Sequence, residues 1–169
     1  MKRNLVFLIL LGLLSACTLT IRPGDVSVGI GVDVELTNVI TRFEPDRGTG
    51  SIYYVGDEVR FVITLQRPGY ISLIAIDPDG RTYEFEHGLY LSAGTHILPP
   101  PETHHQYIAD YPTGKQRVRA VYTNSRPTSV HFQGIYNRER FNERLRLYFN
   151  NCYATNRDLA ETYFYIYPF

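Results

Sequence analysis

A strand–turn–strand unit near the middle of the chain indicates the fold class. Tyr70–Ile76 is an almost continuous apolar run, which is typical of a strand covered on both faces. The run ends at Asp77-Pro78-Asp79-Gly80, where proline presets φ and glycine accepts a positive φ, so a tight turn is predicted. Residues 81–86 then return as the next strand. We therefore expect both faces of the Tyr70–Ile76 strand to be covered.

Alternation of apolar and polar residues predicts further strands, because side chains along a strand point to opposite faces in turn. Pro99-Pro100-Pro101 interrupts the series as an extended loop, since prolines cannot join a central ladder. The regular spacing of strands and turns predicts an antiparallel, immunoglobulin-like β-sandwich of about seven to nine strands. The remaining predicted strands are residues 26–36, 58–65, 94–98, 105–108, 115–123 and 159–167.

Residues 137–150 have a helical rather than a strand-like pattern. Apolar residues recur there at i, i+4, i+7 and i+8, which places them on one stripe of a helix. An amphipathic helix near the carboxyl end is therefore predicted, with its stripe packed on the sandwich. The stripe consists of Phe141, Leu145, Tyr148 and Phe149.

The amino terminus has the composition of an export signal. A positive start at Lys2-Arg3 precedes an apolar run over residues 5–14, and small residues follow at Ser15-Ala16. This order is typical of a secretory signal peptide. The apolar run is too short for a comfortable membrane span, which takes about 20 residues.

The junction Leu14-Ser15-Ala16-Cys17 resembles the lipobox of bacterial lipoproteins. The resemblance implies that the Cys17 thiol is alkylated with diacylglycerol, that the chain is cleaved before Cys17, and that the acyl chains of the anchor include palmitate. Thr18 stands where an aspartate favours inner-membrane retention, so the resemblance implies the outer membrane rather than the inner. An ordinary secretory signal with a chance cysteine is the alternative. The implied segments are a signal peptide at 1–16, a lipidated tether at 17–25 and a folded domain at 26–169.

The charge and cysteine content restrict the partners. The chain has 17 basic and 17 acidic side chains, and removal of the signal would take away Lys2 and Arg3. Such a balance argues against nucleic acid as a partner, because nucleic acid requires a basic surface.

If lipid occupies Cys17, Cys152 has no intramolecular partner and no disulfide framework exists. We expect the Cys152 thiol to be buried, with an intermolecular crosslink as the alternative.

Two motifs resemble a known family. One is Tyr54-Val55-Gly56-Asp57-Glu58-Val59-Arg60-Phe61, and the other is the Gly-Tyr strand and Asp-x-x-Gly turn of residues 69–80. Both are similar to the family called domain of unknown function 4384, and Leu98-Pro99 and Gly114-Lys115-Gln116-Arg117-Val118 resemble its downstream strands. The likeness covers about residues 50–125. It implies an exported or membrane-attached protein of the bacterial envelope, similar to lipoproteins of Deinococcus-type bacteria, with no established activity.

Five histidines are candidate metal ligands, since imidazole binds zinc and copper well. None of them shows the i, i+2 spacing of a strand site or the i, i+4 spacing of a helix site. Chance surface histidines are therefore the competing interpretation. If sandwich loops bring three together, we expect the site to consist of His96, His104 and His131. The other two histidines are His87 and His105.

The last predicted strand places Tyr163, Tyr165 and Tyr167 on one face. An exposed row of tyrosines suits binding of a glycan or a protein, because each ring offers flat apolar area with a polar tip. The alternative is that the helix covers the row, with Phe141 and Leu145 packed on the rings.

The motifs of common enzymes are missing from the sequence. There is no Gly-x-Ser-x-Gly nucleophile elbow, and no catalytic residue or cofactor is predicted beyond the covalent lipid. We expect a non-enzymatic, lipid-anchored envelope module that binds or braces an envelope protein or a cell-wall component. A histidine-based metal or redox module and a cell-wall polysaccharide binder are the alternatives.

Overall fold

A computed structural model describes residues 34–127 and 129–169. The predicted signal peptide, Cys17, the tether and residues 26–33 of the first predicted strand lie outside these residues. The described part contains eleven strands and one helix. The strands are β1 (Ile40–Pro45), β2 (Ile52–Tyr54), β3 (Glu58–Val59), β4 (Phe61–Leu65), β5 (Gly69–Ile76), β6 (Arg81–Leu91), β7 (Gly94–Leu98), β8 (Tyr107–Ile108), β9 (Gly114–Thr123), β10 (Gln133–Ile135) and β11 (Arg157–Tyr167), and the helix is α1 (Arg138–Asn151).

The strands form two main sheets. The larger has the order β10-β6-β5-β9-β11-β2, the smaller has the order β1-β4-β7, and β3 pairs separately with β8. Neighbours are antiparallel, except that β2 runs parallel to β11. The prediction of a mainly β, antiparallel, sandwich-like fold with a helix near the carboxyl end is confirmed. Four of the eleven strands are two or three residues long, too short for the alternation that the sequence prediction relied on.

The main core lies between the two sheets. Strand β4 alternates buried and half-buried residues, and its inward side chains Phe61, Ile63 and Leu65 pack with Ile71 and Leu73 of β5. All five are at most 2% exposed. Burial of one such side chain contributes about 1.5–3 kcal/mol, so this layer is a major source of the sandwich's stability.

A second core lies on the opposite face of the large sheet. Ile74 and Ile76 of β5 point away from the first core and pack against α1, so β5 is buried on both faces as predicted. The helix begins after Asn137, whose Oδ1 accepts a hydrogen bond from the Arg140 amide at 2.9 Å, a stabilising N-cap. The predicted stripe is confirmed. The buried helix residues are Phe141, Leu145, Tyr148 and Phe149.

Polar contacts also position the helix on the sheet. The hydroxyls of Ser72 and Tyr148 lie 2.7 Å apart in a buried hydrogen bond. Arg119 Nε donates to Glu161 Oε2 at 2.6 Å, and the Arg119 guanidinium carbon lies 4.1 Å from the centroid of the Phe141 ring. Because buried polar groups require partners, these pairs favour one placement of the helix.

Several predicted boundaries need correction. Residues 34–36 were expected in a strand but have no strand geometry, and Val34 packs against the helix-side core. The short β10 was missed, since its three residues are all exposed. The expected strand at 105–108 shrinks to β8. Cys152 is a buried, free thiol as expected, and its Sγ lies 3.4 Å from the Phe149 carbonyl oxygen.

Buried Asp158, at the start of β11, ties the segment before β1 to the large sheet. Its Oδ2 accepts hydrogen bonds from the amides of Val39 at 2.7 Å and Ile40 at 2.8 Å, and its Oδ1 accepts one from the Leu159 amide at 2.9 Å. Burial raises the pKa of Asp158, and the three amide donors oppose that rise.

Replacement of Asp158 by alanine should lower the free energy of unfolding by about 2–3 kcal/mol, because two buried amides and one partly buried amide each lose an acceptor at about 1 kcal/mol. Denaturant titration of the wild-type protein and the variant measures this difference. Glu102→Ala, at an exposed loop position, is the control and should change stability by less than about 0.5 kcal/mol. Equal effects of the two substitutions would contradict the anchoring role.

The burial of Tyr53 in β2 implies that the protein loses stability in alkaline solution. Its side chain is fully buried, its hydroxyl donates to Asp46 Oδ1 at 2.5 Å, and burial followed by this hydrogen bond raises its pKa from 10.0 to about 12. The unfolded chain therefore loses the phenolic proton first as the pH rises above 10. The stability that this group contributes is complete below pH 10 and is lost as the pH rises toward 12.

Between pH 9 and pH 11, Tyr53→Phe should therefore lose about 1 kcal/mol less unfolding free energy than the wild-type protein. Denaturant unfolding of both proteins at the two pH values gives the comparison. Identical losses would show that the phenol does not contribute.

Candidate functional site

Cys17 lies outside the described residues, so its lipidation stays a prediction. Of the residues that the structure describes, none belongs to a helix long and apolar enough to cross a membrane.

The predicted histidine trio is not brought together. His96 lies on β7 of the small sheet, where its Nε2 is 2.8 Å from the Ser92 carbonyl oxygen. His104 is exposed in the loop between β7 and β8. The group within residues 34–127 and 129–169 whose ligand atoms lie close enough to share a metal ion consists of Glu84, His87 and His131. One predicted ligand, His131, therefore belongs to it, with two partners that were not predicted.

This cluster, Glu84, His87 and His131, is centred on the carboxylate. His87 Nδ1 lies 2.8 Å from Glu84 Oε1, and His131 Nδ1 lies 3.2 Å from Glu84 Oε2. The centroids of the two imidazole rings are 4.3 Å apart. The Glu84 side chain is 2% exposed, whereas those of His87 and His131 are 30% and 55% exposed. The carboxylate is thus buried beneath two imidazoles that solvent can reach.

Irregular pairing between β5 and β6 explains how Glu84 and His87 meet. Residues three apart on a regular strand point to opposite faces. Here Ile74 pairs with Glu84, Leu73 with Glu86 and Ile71 with Leu89, with register shifts on both sides of Leu73. Such bulges re-aim side chains. Sequence reasoning missed the pair because it looked for i, i+2 spacing, which applies only to regular strands.

Gly88 allows this irregular backbone. Its φ is +63°, and a Cβ at this position would lie 2.8 Å from Pro127 Cγ, so a larger residue would be both strained and crowded. The Gly88 amide donates to Ser72 Oγ at 2.9 Å. A backbone contact brings His131 to the cluster. The Glu84 amide donates to the Phe132 carbonyl oxygen at 2.9 Å, which holds the chain before β10 beside β6.

The predicted tyrosine row lies on the helix-bearing face of the large sheet, but outside the core that the helix forms there. Phe141 stacks on Phe132, and the partly buried residues that pack against the helix-side core do not include the three tyrosines. These contacts do not support the alternative in which Phe141 and Leu145 pack on the rings. Tyr163 and Tyr165 are half-buried, and Tyr167 is 49% exposed.

The row continues onto the edge strand β2. Tyr165 pairs with Ile52, and Tyr167 pairs with Tyr54. Ile52 and Tyr54 are 49% and 48% exposed. We call this surface the aromatic face: Ile52, Tyr54, Tyr163, Tyr165 and Tyr167.

The interior of the aromatic face is ordered by its own contacts. The Tyr163 and Tyr165 rings meet edge to face, with centroids 6.0 Å apart and an interplanar angle of 89°. Lys115 Nζ lies 3.9 Å from the centroid of the Tyr163 ring, a cation–π contact. A Cβ at Gly50 would lie 3.4 Å from the Tyr163 ring, so the β1–β2 loop supports it from one side.

A cavity of about 290 Å³ opens at one end of the core between the sheets. Its lining includes Phe61, Tyr83, Phe85 and Tyr107. The Tyr107 hydroxyl donates to Glu86 Oε2 at 2.8 Å, and burial followed by this hydrogen bond raises the pKa of Tyr107 well above its ordinary value. The Tyr107 hydroxyl is thus already paired within the protein, while Asp77, Asp110 and Gln116 add polar groups to the lining of the cavity.

Comparison with known proteins identifies a domain within the chain. Residues 52–126 match the family described as Domain of unknown function (DUF4384). The match runs from the start of β2 to just beyond β9 and supports the family that the sequence motifs resemble. No curated protein and no solved structure matches the chain.

Proposed function

We propose that this chain is a lipid-anchored, non-enzymatic module of the bacterial envelope that binds another envelope protein through its aromatic face. The anchoring part of the proposal is supported by the export pattern and the lipobox-like Leu14-Ser15-Ala16-Cys17. The membrane concerned is the outer one, which Thr18 favours. The observation that supports binding is the aromatic face, four tyrosines and one isoleucine that lie outside the core formed by the helix.

The composition of the aromatic face suits a protein interface. Tyrosine is enriched among the residues that dominate binding energy at interfaces, and contiguous exposed apolar surface often marks an interaction site. Lys115 and the paired strand positions around it supply a polar border. The face therefore has an apolar centre with a charged neighbour, as protein interfaces commonly do.

A protein partner is favoured over a polysaccharide by the ring geometry. A sugar ring stacks best on a flat aromatic platform. The Tyr163 and Tyr165 rings are perpendicular, so they do not form one continuous platform. An interdigitated protein surface can use both the face of one ring and the edge of the next.

The position of the aromatic face relative to the tether also favours binding. The chain enters the described domain beside the start of β11, where Thr37 bonds to Arg157 and Val39 bonds to Asp158. Tyr167 lies at the other end of the same strand, about 30 Å away at 3.4 Å per residue. The aromatic face therefore extends to the end of β11 that lies away from the segment through which the chain enters the described residues.

Lipidation can be tested by growth with a palmitate analogue that carries a clickable tag. The wild-type protein should become labelled and sediment with membranes, and Cys17→Ser should do neither, because the thiol is the acceptor. Cys152→Ser is the matched control and should keep the label. Wild-type protein recovered unlabelled from the soluble fraction would contradict the anchor.

Binding can be tested with a photo-crosslinking amino acid in place of Ile52, in intact cells. A discrete crosslinked species should form, and its yield should fall at least about tenfold in Tyr165→Ala/Tyr167→Ala, because two interface tyrosines contribute more than about 1.4 kcal/mol. Tyr153→Ala removes an exposed tyrosine outside the face and should leave the yield unchanged.

Equal yields in the two variants, each checked for folding by thermal unfolding, would contradict a role for the aromatic face. Retention on purified peptidoglycan that is lost only in the double variant would replace the protein partner with a cell-wall glycan.

A further inference from the structure

We propose that Glu84, His87 and His131 bind a divalent first-row transition ion of the zinc or copper class. The site is separate from the aromatic face and does not depend on the lipid anchor. It replaces the His96, His104 and His131 trio expected from the sequence by the cluster that the fold brings together.

The donor set selects the class of ion. Two imidazole nitrogens and one carboxylate are typical ligands of zinc, copper and non-haem iron. Calcium and magnesium prefer oxygen ligands and take six or more of them, so a site with two imidazoles discriminates against both. Three protein ligands leave a fourth position for water or a small ligand, as in sites that are not purely structural.

The distances suit an ion at the centre of the cluster. All ligand atoms lie within 4.8 Å of one another. At metal–ligand bonds of about 2.0–2.1 Å, the ligands of a tetrahedral ion are about 3.3 Å apart. The two nitrogen–oxygen distances of 2.8 Å and 3.2 Å need to widen only slightly. His131 can adjust through side-chain rotation, because more than half of its side chain is exposed.

The burial of the Glu84 carboxylate favours the binding of a cation at the cluster. A buried carboxylate is costly unless it is paired or coordinates a metal. The hydrogen-bond partners that the described residues give to its oxygens are the imidazoles of His87 and His131 and the Phe132 amide, which donates to Oε2 at 3.3 Å. A divalent ion between the rings would offset the carboxylate's charge and leave both imidazoles neutral, the form in which they bind metals.

The surrounding backbone preorganises the ligands. The Gly88 amide bonds to Ser72 Oγ, which fixes the chain next to His87. Arg144 Nε donates to the His131 carbonyl oxygen at 2.8 Å, so α1 holds the segment that carries the third ligand. Outer contacts of this kind orient metal ligands, and their loss commonly weakens metal binding by 10–100-fold.

Metal titration of the full-length protein, purified in detergent and stripped with a chelator, tests the site. Calorimetry with Zn²⁺ should show one ion per chain for the wild-type protein. His131→Ala and His87→Ala should each weaken Zn²⁺ binding by at least about 10–100-fold, because each removes a ligand. His96→Ala is the matched control and should bind like the wild-type protein. Ca²⁺ should give no signal in any of them.

A second readout identifies the ligands directly. Electron paramagnetic resonance of bound Cu²⁺ should show coupling to two imidazole nitrogens in the wild-type protein and in His96→Ala, and to one in His131→Ala. Thermal unfolding without metal checks that each variant is folded, and the exposed position of His131 makes this variant the decisive one if His87→Ala fails to fold. Wild-type binding no tighter than that of His131→Ala, or loss of binding in His96→Ala, would overturn the proposal.

Discussion

Burial of β5 on both faces is the constraint on which the rest of the architecture depends. Its side chains alternate, so Ile71 and Leu73 enter one core while Ile74 and Ile76 enter the other. Two covers are therefore required, because apolar surface on either side would otherwise face water. The small sheet covers one side and α1 covers the other. The Arg119–Glu161 pair and the Ser72–Tyr148 bond then favour one helix position among those that apolar packing alone would allow.

The aromatic face is exposed because α1 is shorter than β11. A helix of 14 residues is about 21 Å long at 1.5 Å per residue. Strand β11 has 11 residues and is about 37 Å long at 3.4 Å per residue. The helix cannot cover all of it, and the part left open holds Tyr163, Tyr165 and Tyr167. The segment around Thr37 and Val39 is bonded to the start of β11, so this segment and Tyr167 lie at opposite ends of the same strand.

The histidine cluster arises where the large sheet departs from regular pairing. Regular alternation would separate Glu84 from His87, and the register shifts around Leu73 bring them together. Strand irregularities of this kind are over-represented next to functional sites. The cluster and the aromatic face thus depend on different features of the same sheet, one on a local bulge and the other on incomplete cover by the helix. A substitution in the histidine cluster should therefore leave the aromatic face intact, and a substitution in the aromatic face should leave the cluster intact.

The sequence by itself determined the features that depend on local periodicity. These are the doubly buried strand at Tyr70–Ile76, the turn at Asp77–Gly80, the helix with its stripe, and the buried Cys152. Tertiary structure decided which distant residues meet. His131 joins Glu84 and His87 through a bulge and a backbone pairing that leave no periodic signal, and the tyrosine row stays open because the helix packs elsewhere on the same sheet. The alternation of apolar and polar residues indicates which side of a strand is buried. It does not indicate how far the covering layer extends or where the register between two strands shifts.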